Sequence, residues 1–111
     1  MSGGYNETNI STGAQDLHRA LASMQEELEA VDYYNQRADK TSDESLKAIL
    51  LHNRNEEIEH ATMLLEWIRR TVPEFDTQCK TYLFSDKPIT QIESGEQLAK
   101  DSTGDLGIRN T

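Results

Sequence analysis

Two stretches of this chain carry apolar residues at helical spacing. In the first, Leu17, Leu21, Met24, Leu28 and Val31 recur at intervals of three or four, flanked by Ala20, Glu27 and Tyr34. That recurrence makes one face of an α-helix apolar and predicts a helix from about Ala14 to Asp39. In the second, Leu46, Ile49, Leu50, Asn53, Glu57, His60, Leu64, Trp67 and Ile68 share one face at about 100° per residue. It predicts a helix from about Ser42 to Arg70, whose last turn carries Arg69 and Arg70 against the negative end of the helix dipole. The break between the two, Lys40 to Asp43, is short, and Thr41-x-x-Glu44 reads as a capping box for the second helix. So short a connection predicts an antiparallel hairpin. Pro73 stops the second helix and suits the first turn of another, so Pro73 to Phe84 reads as a short third helix with contacts from Phe75, Cys79, Tyr82, Leu83 and Phe84. The expected fold class is all-α.

The ends differ in character. Met1 to Gly13 and Ser85 to Thr111 are polar, rich in Gly, Ser and Thr, and lack periodicity, so both read as flexible around a helical domain of residues 14–84. There is no internal repeat. Only 35% of the 111 residues are hydrophobic. Two helices cannot bury both of their faces, so the pattern calls for association between copies. The tail carries a small apolar island, Leu106-Gly107-Ile108. Such an island acts as a docking peptide that orders only when bound, with chance as the competing account.

Charge narrows the function classes. Twenty acidic residues against eleven basic ones give a net charge of −9, the opposite of a nucleic-acid footprint. Acidic residues cluster at Glu26, Glu27, Glu29 and Asp32, and again at Glu56, Glu57 and Glu59, where they concentrate cations or simply form a solvated face. No apolar run reaches the ~20 residues a membrane span needs, and no signal peptide is evident, so a cytoplasmic location without membrane attachment is expected. Cys79 is alone, which leaves a small buried residue as its expected role and excludes a disulfide framework. Asn6-Glu7-Thr8 and Asn9-Ile10-Ser11 match the glycosylation pattern, which has no meaning without secretion.

The chemistry lies in Glu57-Ile58-Glu59-His60. Glu57 and His60 are one turn apart near the centre of the apolar face. A carboxylate buried there unpaired costs several kcal/mol, on the order of 2 to 7, so something positive must meet it. Glu27 lies beside the stripe of the neighbouring helix. A carboxylate from one helix and a Glu-x-x-His from the next is half of a carboxylate-bridged di-metal site in a helix bundle. Carboxylate and imidazole suit iron, manganese or zinc. A two-fold axis between two copies supplies the missing half, with Glu27 or Glu57 of both chains bridging the metals. Asn53 reads as a structural hydrogen-bonding residue and Trp67 as core. Tyr34 reads either as core or as a phenol that orients a ligand or donates an electron. His52, flanked by Glu56 and Glu59, either joins a peripheral cation site or is solvated, and His18 has no assigned role.

The strings Met24 to Tyr34 (MQEELEAVDYY) and His52 to His60 (HNRNEEIEH), together with Leu65 to Arg70 and Thr81 to Phe84, resemble the encapsulated ferritins, in matching order and spacing from about Leu17 to Phe84. The resemblance implies a chain that dimerises into a ferritin-like four-helix bundle within a decameric ring. It implies a ferroxidase that oxidises Fe(II) with dioxygen at a di-iron centre on Glu27, Glu57 and His60, for iron storage. It places secondary cation sites, for ions such as calcium, at Glu26 and Glu29 and near His52, Glu56 and Glu59, and a tyrosine role at Tyr34. The family often has Trp before that tyrosine, where this chain has Tyr33. Family members travel as cargo inside encapsulin shells, and Asp105 to Arg109 looks like the targeting peptide. Two other readings compete. One is a non-enzymatic helical adapter whose buried polar groups fix register; the other is a manganese-dependent protein that removes peroxide.

Overall fold

The computed structural model describes residues 4–92. Three helices follow in order, α1 (Thr12–Lys40), α2 (Glu44–Thr71) and α3 (Pro73–Tyr82), and the fold is all-helical. Two units are distinguished, one running to Ile68 and the other from Arg69.

Local chemistry sets each helix boundary. The Ser11 side chain accepts from the Ala14 amide at 3.1 Å and caps α1, so the helix begins two residues earlier than the apolar pattern indicates. Gln15 donates from its side chain to the Ile10 carbonyl at 3.3 Å, tying the approach to the first turn. Tyr5 stacks edge-on against His18, with ring centroids 4.7 Å apart. At the far end, Thr41 takes extended geometry and donates its amide to the Arg37 carbonyl at 3.1 Å.

The start of α2 corrects one expectation. Its cap is Asp43, whose Oδ1 accepts from the Leu46 amide at 2.9 Å. Thr41 Oγ1 instead accepts from the Asp43 amide at 3.2 Å. A cap reaches three residues forward, and Thr41 is already committed to ending α1, so the capping duty passes to Asp43. In the second unit, Pro73 opens α3 and the Leu83 amide returns to the Cys79 carbonyl at 2.9 Å. The helix therefore ends at Tyr82, short of Phe84. Asp76 of α3 pairs with Arg69 and, at 3.0 Å, with Lys80. Cys79 is half-buried, not fully enclosed. The segment after Ser85 is not wholly irregular: residues 89–92 are helical behind Pro88, and Ile92 is buried.

Within the first unit, α1 and α2 run antiparallel. Glu27 meets His60 mid-length and Asn35 meets Arg54 nearer the turn, so contacts on both helices approach the connection together. The buried positions here are Ala20, Ala38, Ala61 and Ile68, three of them small enough for close helix approach. The apolar faces are only partly covered. Leu28 (52%), Ile49 (54%), Met63 (61%) and Trp67 (40%) remain exposed, as does Leu46. Leu28, Leu46, Ile49 and Trp67 belong to the predicted stripes, so a flank of the expected core faces outward in the single chain.

A carboxylate and imidazole cluster on the helical hairpin

Glu27 lies near the middle of α1, and Glu57 and His60 lie one turn apart on α2. Antiparallel pairing brings them together. One ligand atom from each, the two carboxylates and the imidazole, lies within 4.8 Å of the others. His60 Nδ1 is 3.2 Å from Glu57 Oε1 and 3.5 Å from Glu27 Oε1. All three residues are half-buried. Carboxylate oxygens and an imidazole nitrogen are donors of the kind that hold a first-row divalent ion.

The electrostatics follow from crowding two carboxylates. A hydrogen bond donated to Glu57, partial burial and the Glu57 charge hold the Glu27 carboxyl above its ordinary value of 4.5. The same hydrogen bond, reinforced by His60, holds Glu57 below it. Two adjacent carboxylates do not both ionise freely, so ionisation of one hinders the other. For His60, burial pulls the imidazole down, but the hydrogen bond to Glu57 and the charges of both carboxylates outweigh it and leave it above 6.5. Protons and a cation would compete for the same donor atoms.

Other expected residues fall around this cluster. Glu56 stands between two imidazoles, with Oε1 4.0 Å from His60 Nε2 and Oε2 3.8 Å from His52 Nε2. Glu26, Glu29 and Glu59 are exposed and outside the three-residue cluster. Glu29 accepts a hydrogen bond from the Tyr33 hydroxyl at 3.0 Å. That bond and the Glu29 charge raise the Tyr33 phenol above its ordinary 10.0. Tyr34 is half-buried, and the Arg37 guanidinium stacks 5.7 Å from its ring and 5.8 Å from that of Tyr33. Sequence reasoning passed over Arg37, although the spacing Tyr33/Tyr34 to Arg37 is the one at which helical side chains meet. It also passed over Arg54, which donates from Nη1 to Asn35 Oδ1 at 2.9 Å and from Nε and Nη2 to Asn55 Oδ1.

Residues 4–86 match the EncFtn-like family. The chain belongs to that family. A ferritin-like protein of Thermotoga maritima is 50% identical over 112 residues, covering 98% of each chain. The encapsulated ferritin-like protein of Rhodospirillum rubrum is 52% identical over 88 residues, 79% of this chain and 63% of that one. The encapsulin nanocompartment cargo protein EncC of Myxococcus xanthus is 36% identical over 84 residues, 75% of this chain and 65% of that one. A crystal structure of a Nitrosomonas europaea protein superimposes with a TM-score of 0.75 at 59% identity, over 78% of this chain and 97% of that one. Membership carries a ferritin-like, iron-related role, and the Glu27, Glu57 and His60 cluster is a candidate metal site. Among the described residues no helix is long and apolar enough to cross a membrane.

Proposed function

We propose that two copies of this EncFtn-like chain pair across the exposed flank of the hairpin and complete a di-iron ferroxidase centre. The observation that carries the reading is the Glu27, Glu57 and His60 cluster: three donors of one chain converge within 4.8 Å. Three donors are half of the set that a carboxylate-bridged di-metal centre in a helix bundle uses. An isologous contact doubles them. The exposed Leu28, Leu46, Ile49, Met63 and Trp67 of the same hairpin give that contact its apolar area.

Iron is the substrate. Fe(II) ions enter between the two chains, dioxygen accepts their electrons, and Fe(III) leaves for storage. Glu27 and Glu57 supply hard oxygens, and His60 supplies Nδ1 while its Nε2 faces Glu56. The carboxylates favour the more highly charged product ion, since fixed negative charge in a water-poor pocket stabilises positive charge as it develops. The ion competes with protons for Glu27 and His60, both of which hold protons more tightly than usual. Tyr34, further along the same face of α1, is the nearby phenol able to orient a ligand or give an electron. Glu26 and Glu29 on α1, and His52, Glu56 and Glu59 on α2, form outer stations where divalent ions such as calcium or incoming Fe(II) collect.

Pairs of chains assemble further, into a decameric ring by the resemblance, and work in the cytoplasm within an encapsulin shell. Two relatives carry encapsulation in their names. The proposed targeting peptide, Asp105 to Arg109, lies outside the described residues. The test is light scattering and oxygen uptake on the same sample, with and without Fe(II). A defined oligomer that oxidises Fe(II) far faster than buffer, and a Glu57→Ala variant that keeps its helices but oxidises no faster than buffer, are expected. Full activity in Glu57→Ala would overturn the reading.

A further inference from the structure

Away from the carboxylate cluster, the turn end of the hairpin contains an open cleft of about 230 Å³ lined by Asn35, Ala38, Asp39, Lys47, Leu51 and Arg54. Its lining joins buried Ala38 and half-buried Leu51 with two cations from α2, Lys47 and Arg54, and with Asp39 of α1. In a chain with a net charge of −9, two cations facing one acid is a local inversion.

The two cations are held differently. Arg54 is fixed by three donations, all to neutral carboxamide oxygens of Asn35 and Asn55. A guanidinium has five N–H groups, so one donor on each terminal nitrogen is left over, and its charge is oriented but not cancelled. Lys47 lies in the opening turns of α2, where a cation works against the helix dipole, so helix stability does not account for it. Among the described residues neither cation is paired with a carboxylate.

We propose that this cleft binds a small oxyanion from solution, phosphate or a free carboxylate. The spare Arg54 donors and the Lys47 ammonium hold its oxygens, and Asp39 accepts from a hydroxyl where the anion carries one. Asp39 also limits the affinity by its charge, which favours the hydrogen-bearing form of phosphate over a fully ionised group.

The experiment is ³¹P line broadening of inorganic phosphate titrated onto the metal-free protein, with light scattering on each sample. Saturable broadening that salt relieves is expected. Lys47→Gln leaves the Arg54 clamp untouched and should weaken binding about tenfold, as should Arg54→Gln; Asp39→Asn should tighten it. Glu57→Ala should bind phosphate as the parent does, which separates this cleft from the metal centre. Equal broadening in the parent and Lys47→Gln would overturn the proposal. So would a change of oligomer mass in Lys47→Gln without any phosphate binding by the parent, because the cleft would then receive a carboxylate of a second copy.

Discussion

Two polar crossings between the helices of the α1–α2 hairpin are built oppositely. Near the turn, Arg54 donates to Asn35 and Asn55, so each donor used has a carboxamide oxygen to meet it. Mid-length, two carboxylates face one another with a single imidazole between them. There acceptors outnumber donors, and the two carboxylates repel one another. A matched crossing adds a little stability and holds without a cation, even where Arg54 keeps donors to spare. An unmatched one costs stability until a cation completes it, which is how a metal site differs from a fastening.

Replacing Glu57 with Gln turns the second crossing into a copy of the first, and the largest effect is expected there. Fe(II) oxidation, followed by oxygen uptake, should fall by about a hundredfold or more, exceeding the loss of an outer partner of a ligand. The metal-free melting temperature should rise as the carboxylate repulsion disappears. A fall would mean that the cluster is a fastening after all.

Proton competition is the next largest effect. Glu27 and His60 both sit above their ordinary values, so both give up protons late as pH rises. Binding of redox-inert Zn(II), followed by calorimetry, should strengthen about tenfold per pH unit where one proton is released. The metal-free chain should behave oppositely. His60 stabilises it fully below pH 6.5, the unshifted value, and that contribution is lost as pH rises through its raised folded value. Zn(II) affinity independent of pH would sink the expected competition with protons.

The matched crossing predicts a smaller number. A double-mutant cycle on Asn35→Ala and Arg54→Ala, read by chemical denaturation, should give a coupling of about 0.5 to 1 kcal/mol, kept low by solvent exposure. Smallest is the α3 network, where Lys80, aided by Arg69, holds Asp76 below its ordinary 3.8. Asp76→Asn should lower the melting temperature slightly at neutral pH. The gap to the parent should close as pH falls below 3.8 and Asp76 itself protonates through its depressed folded value.

Much of the fold was legible because helical periodicity is long-range and redundant. An α1 of 29 residues and an α2 of 28 leave many apolar positions to agree on one face. Boundaries were read less well, because they rest on single side chains: Ser11 moved one start and Asp43 took over another. Glu57 and His60 stood out for a different reason, being charged residues on an apolar stripe. Arg54 did not, since an arginine between two asparagines looks like surface until Asn35 is brought from nineteen positions away. That some apolar surface would stay uncovered was legible from two helices alone, but not that Leu28 and Met63 would carry it. Periodicity reports that a face is apolar, not whether this chain or another covers it.

The uncovered flank gives the protein a built-in optical gauge. Its one tryptophan, Trp67, lies on that flank and is 40% exposed in the single chain. Indole emission shifts to shorter wavelength as water leaves its surroundings. Under the proposed pairing, dilution should therefore move the emission to the red, letting the onset of subunit separation be read at concentrations too low for scattering.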